Sequence, residues 1–281
     1  MKVIRTVKAM QEWSEGLRRQ GKRVAVVPTM GALHKGHTSL IERATDLADA
    51  VITTIFVNPA QFGPNEDFQR YPRDFDRDSA MAAEAGADIV FAPDVHEIYP
   101  EGFSTFVEID NGSKILEGKF RPEHFRGVIT VVSKLLNITK PHVAVFGQKD
   151  AQQAFLIQKM MRDLNFNVEI LIAPIVREAD GLAMSSRNRY LNSEERQAAL
   201  CLARALCRAE RRVRRGERSA AAIIDLVSRE IGREPLAQIE YVKVCDGETL
   251  ADLEAVGDKA LLALAVRIGR TRLIDNRLLQ R

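Results

Sequence analysis

Val24-Ala25-Val26-Val27-Pro28-Thr29-Met30-Gly31-Ala32-Leu33-His34-Lys35-Gly36-His37-Thr38-Ser39-Leu40 is the stretch that decides the fold. Its first four residues are apolar without alternation, as in a strand buried on both faces of a parallel sheet. Pro28 ends the strand because proline has no N–H to give the ladder. From Thr38 onward, Leu40, Ile41, Ala44, Leu47 and Ala48 form the apolar stripe of a helix. A strand that feeds a helix N-terminus through glycines is a natural phosphate cradle.

The same alternation continues on both sides of this stretch. Val7, Met10, Trp13 and Leu17 predict a short amphipathic helix over 7–20. Strands are predicted at 51–57, 88–93, 105–109, 142–147 and 168–176. Helices are predicted over 75–85, from Pro122 as a first-turn proline, and after Asp150. Strands alternating with helices predict an α/β fold, a Rossmann-like doubly wound parallel sheet. Near residue 176 the pattern changes. A long helix from Ser193 to Arg215, a second over 219–231 and strands at 239–244 and 261–268 predict a smaller α+β domain. The expected organisation is therefore a Rossmann-like domain over 1–175 and a smaller α+β C-terminal domain over 176–281.

Composition excludes several classes. With 281 residues, 46% hydrophobic and 28% charged, the chain has the profile of a globular protein with a sizeable core. A net charge of +3 is too small to imply nucleic acid or an anionic membrane. Three cysteines without a Cys-x-x-Cys pair argue against a disulfide framework or a cysteine zinc site. No apolar run approaches the ~20 residues that span a bilayer, and the start has no signal-peptide pattern. A cytoplasmic protein is expected. The run Arg211, Arg212, Arg214, Arg215 lacks interleaved aromatics and is broken by Glu210 and Glu217, so it reads as a solvated helix face rather than an RNA patch.

Four stretches carry candidate chemistry. Gly31-x-x-x-x-Gly36-His37-Thr38 has Walker-like glycine spacing, but His37 replaces the lysine, which disfavours a P-loop kinase. Two imidazoles three residues apart at a helix start can both face one anion. An ordinary capped turn with two exposed histidines is the alternative, and the glycine spacing after a buried strand favours phosphate. Phe146-Gly147-Gln148-Lys149-Asp150-Ala151-Gln152-Gln153 lies at a strand's C-terminal end, where open α/β sheets bind ligands. An ordinary strand–helix turn fits it equally well. Met184-Ser185-Ser186-Arg187 offers hydroxyls and a guanidinium that suit a phosphate chain, or form a solvated loop. Asn58-Pro59-Ala60-Gln61-Phe62 sets neutral polar groups beside an apolar ring, as a small polar substrate needs or as a proline turn provides. Pro122-Glu123-His124 reads as a surface helix start.

In order along the chain, these stretches resemble the pantothenate synthetase (pantoate–β-alanine ligase) family. Tyr71-Pro72-Arg73, Arg121-Pro122-Glu123-His124-Phe125 and Val176-Arg177-Glu178-Ala179-Asp180-Gly181-Leu182-Ala183 join the match. The His-x-Gly-His piece alone indicates only the wider nucleotidyltransferase superfamily, so another adenylyl- or cytidylyltransferase is the rival reading. The resemblance implies an ATP-dependent ligase that joins (R)-pantoate to β-alanine through pantoyl adenylate, releasing pyrophosphate and then AMP. It implies catalytic roles for His34, His37, Lys149, Ser185, Ser186 and Arg187. It places ATP on Met30-Gly31-Ala32-Leu33-His34-Lys35-Gly36-His37, on Gly147-Gln148-Lys149-Asp150, and on Val176, Met184, Ser185, Ser186 and Arg187. Pantoate falls to Gln61, Gln153 and Asn58. Lys35 and Gln148 stand where relatives often carry Glu. No protein metal site is implied; Mg²⁺ is expected on the triphosphate. A homodimer is expected, with no nucleic-acid or membrane partner. The loop 63–73 is expected to act as a lid that keeps water from the adenylate.

Overall fold

The computed structural model describes residues 1–64 and 66–280, and the chain divides into two compact units. The first comprises Met1–Gln148 with Leu156–Pro174; the second comprises Lys149–Phe155 and the chain from Ile175 onward. The segment 149–155 thus groups with the second unit, although it follows the first in sequence.

The first unit is built on six parallel strands: β1 (Lys2–Ile4), β2 (Val24–Val27), β3 (Ala50–Thr54), β4 (Ile89–Phe91), β5 (Val143–Gly147) and β6 (Glu169–Ala173). Their order is β1-β4-β3-β2-β5-β6. From β2 the chain steps to β3 and β4 on one side, and later crosses to β5 and β6 on the other. The strand order therefore reverses between β2 and β5, which is where open α/β sheets take ligands. All four residues of β2 are buried, as an unalternated apolar run requires. Against this sheet pack Leu33, Ile41 and Ala44 from the turn and helix after β2, and Ala82 from the helix Phe75–Glu84.

The second unit holds three antiparallel strands, β7 (Ala237–Asp246), β8 (Ala260–Ile268) and β9 (Thr271–Leu279), with helices Ser193–Arg214 and Ala220–Ile231. Leu202, Leu206, Ile223 and Val227 from the helices meet Leu262, Leu264 and Val266 of the central strand β8. Burial pushes the Cys201 and Cys245 thiols up to about 11 and about 12, so both are small apolar core residues. Arg212, Arg214 and Arg208 pair with Glu217, Glu210 and Glu230 on an exposed helix face.

Several expected elements differ. Residues 105–109 form no strand: Val107 N–H goes instead to the Thr130 hydroxyl at 3.0 Å. The strand expected over 51–57 ends at Thr54, where Ile55 and Phe56 turn their N–H groups to Phe91 and Thr29. The helix expected to open at Pro122 is His124–Thr139, so the proline lies outside it. The long helix begins at Ser193 as expected and ends at Arg214, and Asn192 before it forms a reciprocal capping box with Glu195. Strands β1 and β9 lie where the sequence pattern predicts none.

Candidate active site

Three of the four motif stretches follow the C-terminal ends of neighbouring strands, β3, β2 and β5. After β2 the chain is clamped at once. Thr29 N–H donates to Thr54 Oγ1 at 3.1 Å, and Thr29 Oγ1 donates to the Thr54 carbonyl at 2.5 Å. Gly31 N–H returns to Thr29 Oγ1 at 3.1 Å. The loop then turns through left-handed backbone at Gly31 (φ 80°) and Ala32 (φ 51°). A Cβ at Gly31 would stand 2.9 Å from Asp78 Oδ2 and 3.2 Å from Ile55, which accounts for glycine there. The Asp78 carboxylate, 1% exposed, accepts the N–H groups of Ala32 at 2.6 Å and Leu33 at 2.8 Å. Sequence reasoning missed Asp78. It sits among Asp74, Asp76 and Arg77 at a helix start, where acids are ordinary, and no local pattern marks it.

The helix after β2 begins at Lys35, earlier than the apolar stripe indicates, because His34 is its N-cap. His34 Nδ1 accepts from Gly36 N–H at 3.1 Å. An accepting Nδ1 places the proton of the neutral ring on Nε2. His37 lies in the first helical turn, its N–H bonded to the His34 carbonyl at 2.7 Å. The two rings stack with centroids 4.1 Å apart and planes at 30°. Both imidazoles therefore stand together at the helix N-terminus, whose dipole favours an anion. Lys35 is exposed beside it.

After β3, the turn Pro59–Gln61 is held in place by neighbouring groups. Asn58, 1% exposed, donates to Gln61 Oε1 at 3.0 Å and to the Gly127 carbonyl at 3.1 Å. Its Oδ1 accepts from Ala60 N–H at 3.2 Å and from the Tyr99 hydroxyl at 2.8 Å. All of these side-chain hydrogen bonds are made inside the protein, so Asn58 holds the Gln61 turn in place. Gln61 Nε2 lies 3.1 Å from Met30 Sδ. Burial pushes the Tyr99 phenol well above its usual range, against the opposing bond to Asn58.

His124 also departs from expectation. It is buried rather than at a surface helix start, and its Nδ1 lies 2.9 Å from the Gln61 carbonyl. Arg121 reaches the same carbonyl at 3.2 Å and grips the Glu66 carboxylate with two bonds of 2.6 and 2.5 Å. Burial works to raise the Glu66 carboxyl, but the bonds and charge of Arg121 outweigh it and hold the group below 4.5. The loop 63–73 is thereby tied to the Gln61 turn; Asn65 within it lies outside the described residues. Phe62 packs on Phe68 and Tyr71, with centroids 5.3 and 5.9 Å apart.

Gly147 ends β5, and Gln148 N–H bonds the Ala173 carbonyl at 2.7 Å. In the second unit, Lys149 Nζ pairs with Asp150 at 3.2 Å, and Gln153 is half-buried on the helix Ala151–Asp163. Residues 176–184 form a small hairpin: Met184 N–H bonds the Val176 carbonyl at 3.1 Å, and Arg177 bridges Ala183. Ser185 then caps a short turn, Ser186–Tyr190, accepting Arg187 N–H at 3.3 Å. Ser185, Ser186 and Arg187 are all half-buried.

The family profile described as pantoate-beta-alanine ligase matches residues 2–278. The chain belongs to the pantoate–β-alanine ligase family. A pantothenate synthetase of Moorella thermoacetica is 52% identical over 280 residues, 100% of this chain and 99% of that one. That of Carboxydothermus hydrogenoformans is 53% identical over 281 residues, with the same coverage. The crystal structure of the pantothenate synthetase from Thermus thermophilus superposes with a TM-score of 0.95 at 42% identity, covering 100% of both chains. A pantoate-beta-alanine ligase from Francisella tularensis, complexed with beta-gamma ATP and β-alanine, gives 0.81 at 36%, covering 99% of this chain and 97% of that one.

Proposed function

We propose that this ligase condenses (R)-pantoate with β-alanine at the expense of ATP, through pantoyl adenylate. Family membership over residues 2–278 carries the reading, and the stacked pair of His34 and His37 at the helix start fits it. A pantoate carboxylate oxygen attacks the α-phosphorus, and the bond to the β-phosphate oxygen breaks to release pyrophosphate. The β-alanine amine then attacks the acyl carbon, loses a proton, and expels AMP. Such transfers need developing charge neutralised more than they need a covalent group on the protein. His34 Nε2–H, His37, Lys149, Ser185, Ser186 and Arg187 supply that charge and those hydrogen bonds. Met30 and the loop to His37, Gly147 to Asp150, Val176 and Met184 complete the ATP contacts. Gln61 and Gln153 orient pantoate.

Among the described residues no group of three or more His, Cys, Asp or Glu is arranged to hold a metal. Asp78, which braces the cradle, already holds two N–H groups. A Mg²⁺ carried on the triphosphate suits this donor set, and it would neutralise phosphate charge. The loop 63–73 serves as a lid; hydrogen exchange there unchanged by ATP with pantoate would exclude that role. No helix among the described residues is long and apolar enough to cross a membrane, and a cytoplasmic homodimer is the proposed state, to be tested by light scattering.

The deciding experiment incubates the protein with ATP, pantoate and β-alanine. AMP and pyrophosphate should appear only when pantoate is present, and pantothenate only when all three are. AMP release that ignores pantoate would refute the reading.

A further inference from the structure

Asp275 lies on β9, a strand that the proposed chemistry does not use, yet the residue is only 3% exposed. Arg177 meets its carboxylate with a two-pronged bond, Nη1 to Oδ2 at 2.7 Å and Nη2 to Oδ1 at 3.0 Å. The same guanidinium donates to the Gly181 carbonyl at 3.1 Å and to the Asn276 carbonyl at 3.4 Å. It therefore fixes the hairpin 176–184 at its stem and at its tip together. A second anchor works on the far side of the hairpin. Arg196 bonds Glu178 at 2.8 Å and Asp180 at 2.6 Å, while Asn188 Nδ2 bonds Glu178 Oε1 at 2.8 Å and the Ala183 carbonyl at 3.1 Å. Hairpin and following turn are thus one braced piece, and Val176, Met184, Ser185, Ser186 and Arg187 all stand on it.

We infer that Asp275, acting through Arg177, is a positioning residue for nucleotide binding: the Asp275–Arg177 pair sets where Ser185, Ser186 and Arg187 present their donors to the ATP phosphates. This rests on the proposed ATP site. A planar guanidinium gripped at both nitrogens fixes orientation as well as distance, which a lysine at the same place cannot do. A buried pair is a weak source of net stability, so precise placement is the stronger reason for its presence. Neither residue needs to touch ATP for this.

The test compares wild type, Asp275→Asn and Arg177→Lys in the pantoate-dependent AMP assay, with circular dichroism and thermal melting on each. Asp275→Asn keeps the shape but turns one accepting oxygen into a donor facing the guanidinium. Arg177→Lys keeps the charge and loses the fork. In whichever variants fold, KM for ATP should rise on the order of ten-fold while KM for β-alanine stays within about two-fold. An ATP KM unchanged in a folded variant overturns the inference, as does an equal rise for all three substrates, which would mark general loosening. If neither variant folds, the pair is structural and the inference fails. Wild type that makes no pantothenate would instead defeat the functional reading itself.

Discussion

Asn58 holds Gln61: its amide donates to Gln61 Oε1 at 3.0 Å, while Tyr99 and the Ala60 N–H saturate its carbonyl. One oxygen of Gln61 is thereby fixed, and its Nε2 is aimed toward Met30 at the cradle. Asn58→Ala removes the hold and leaves the Tyr99 hydroxyl and the Ala60 N–H without their acceptor. Such losses cost about 1–3 kcal/mol each when buried. KM for pantoate should rise about ten-fold, and ATP affinity should change little. A substrate-contact role predicts similar kinetics but no melting change, so a variant with wild-type Tm would exclude the positioning role.

Asp78 does for the cradle what Asn58 does for the turn. Its two oxygens hold Ala32 and Leu33 in the conformation that brings His34 to the helix start. Asp78→Asn puts an NH₂ against one of those N–H groups, leaving a buried donor unpaired at a cost of about 1–3 kcal/mol. Adenylate formation, read as pantoate-dependent pyrophosphate release in single turnover, should slow at least ten-fold. The β-alanine half-reaction on preformed adenylate should slow less. Equal slowing of both steps would show that Asp78 only supports the fold.

Gly127 lies where the helix His124–Thr139 crosses the Pro59–Gln61 turn. A Cβ there would fall 2.1 Å from the Ala60 carbonyl oxygen and 2.6 Å from Gln61 N, both backbone atoms that cannot swing aside. Gly127→Ala should therefore push the turn outward at a cost of about 1–3 kcal/mol. It should lower Tm by several degrees and weaken pantoate binding together. A crystal structure of the variant with the turn unmoved would contradict this.

Much of the fold was legible in the sequence because its central strands carry the plainest pattern. β2, β5 and the start of β3 are unbroken apolar runs, and Pro28 and Gly147 mark their ends. β1 escaped notice because three residues are too few to show a period. β9 did so because Arg272, Asp275, Asn276 and Arg277 interrupt its apolar pattern; the buried Asp275 carboxylate is met by Arg177 and by the Asn276 N–H. The stretch 105–109 failed the opposite way: Phe106, Val107 and Ile109 suit a strand, but the Val107 N–H is met by a side chain, Thr130. The histidines and Gln61 could be found from local spacing and resemblance. Asp78 and His124 could not, because their roles are set by loops that approach from distant parts of the chain, and sequence spacing carries no record of that.

The Glu66–Arg121 pair gives a pH signature. Held below its unfolded value of 4.5, the Glu66 carboxyl binds fewer protons in the folded state. Its stabilisation is therefore fully present above that value and is lost as pH falls through the lowered folded pKa. Both side chains are mostly buried, at 24% and 16% exposed, so screening by solvent is limited. A charge-assisted bond of this kind contributes about 1.5–3 kcal/mol. Glu66→Gln should lower stability to urea at pH 7 by about that much, yet differ little from wild type once the pH is below the lowered folded pKa. Because Arg121 also touches the Gln61 carbonyl, the variant should weaken pantoate binding at neutral pH as well. Wild-type and Glu66→Gln curves that stay parallel from pH 7 down into the acid range would show that the carboxylate's charge contributes nothing there.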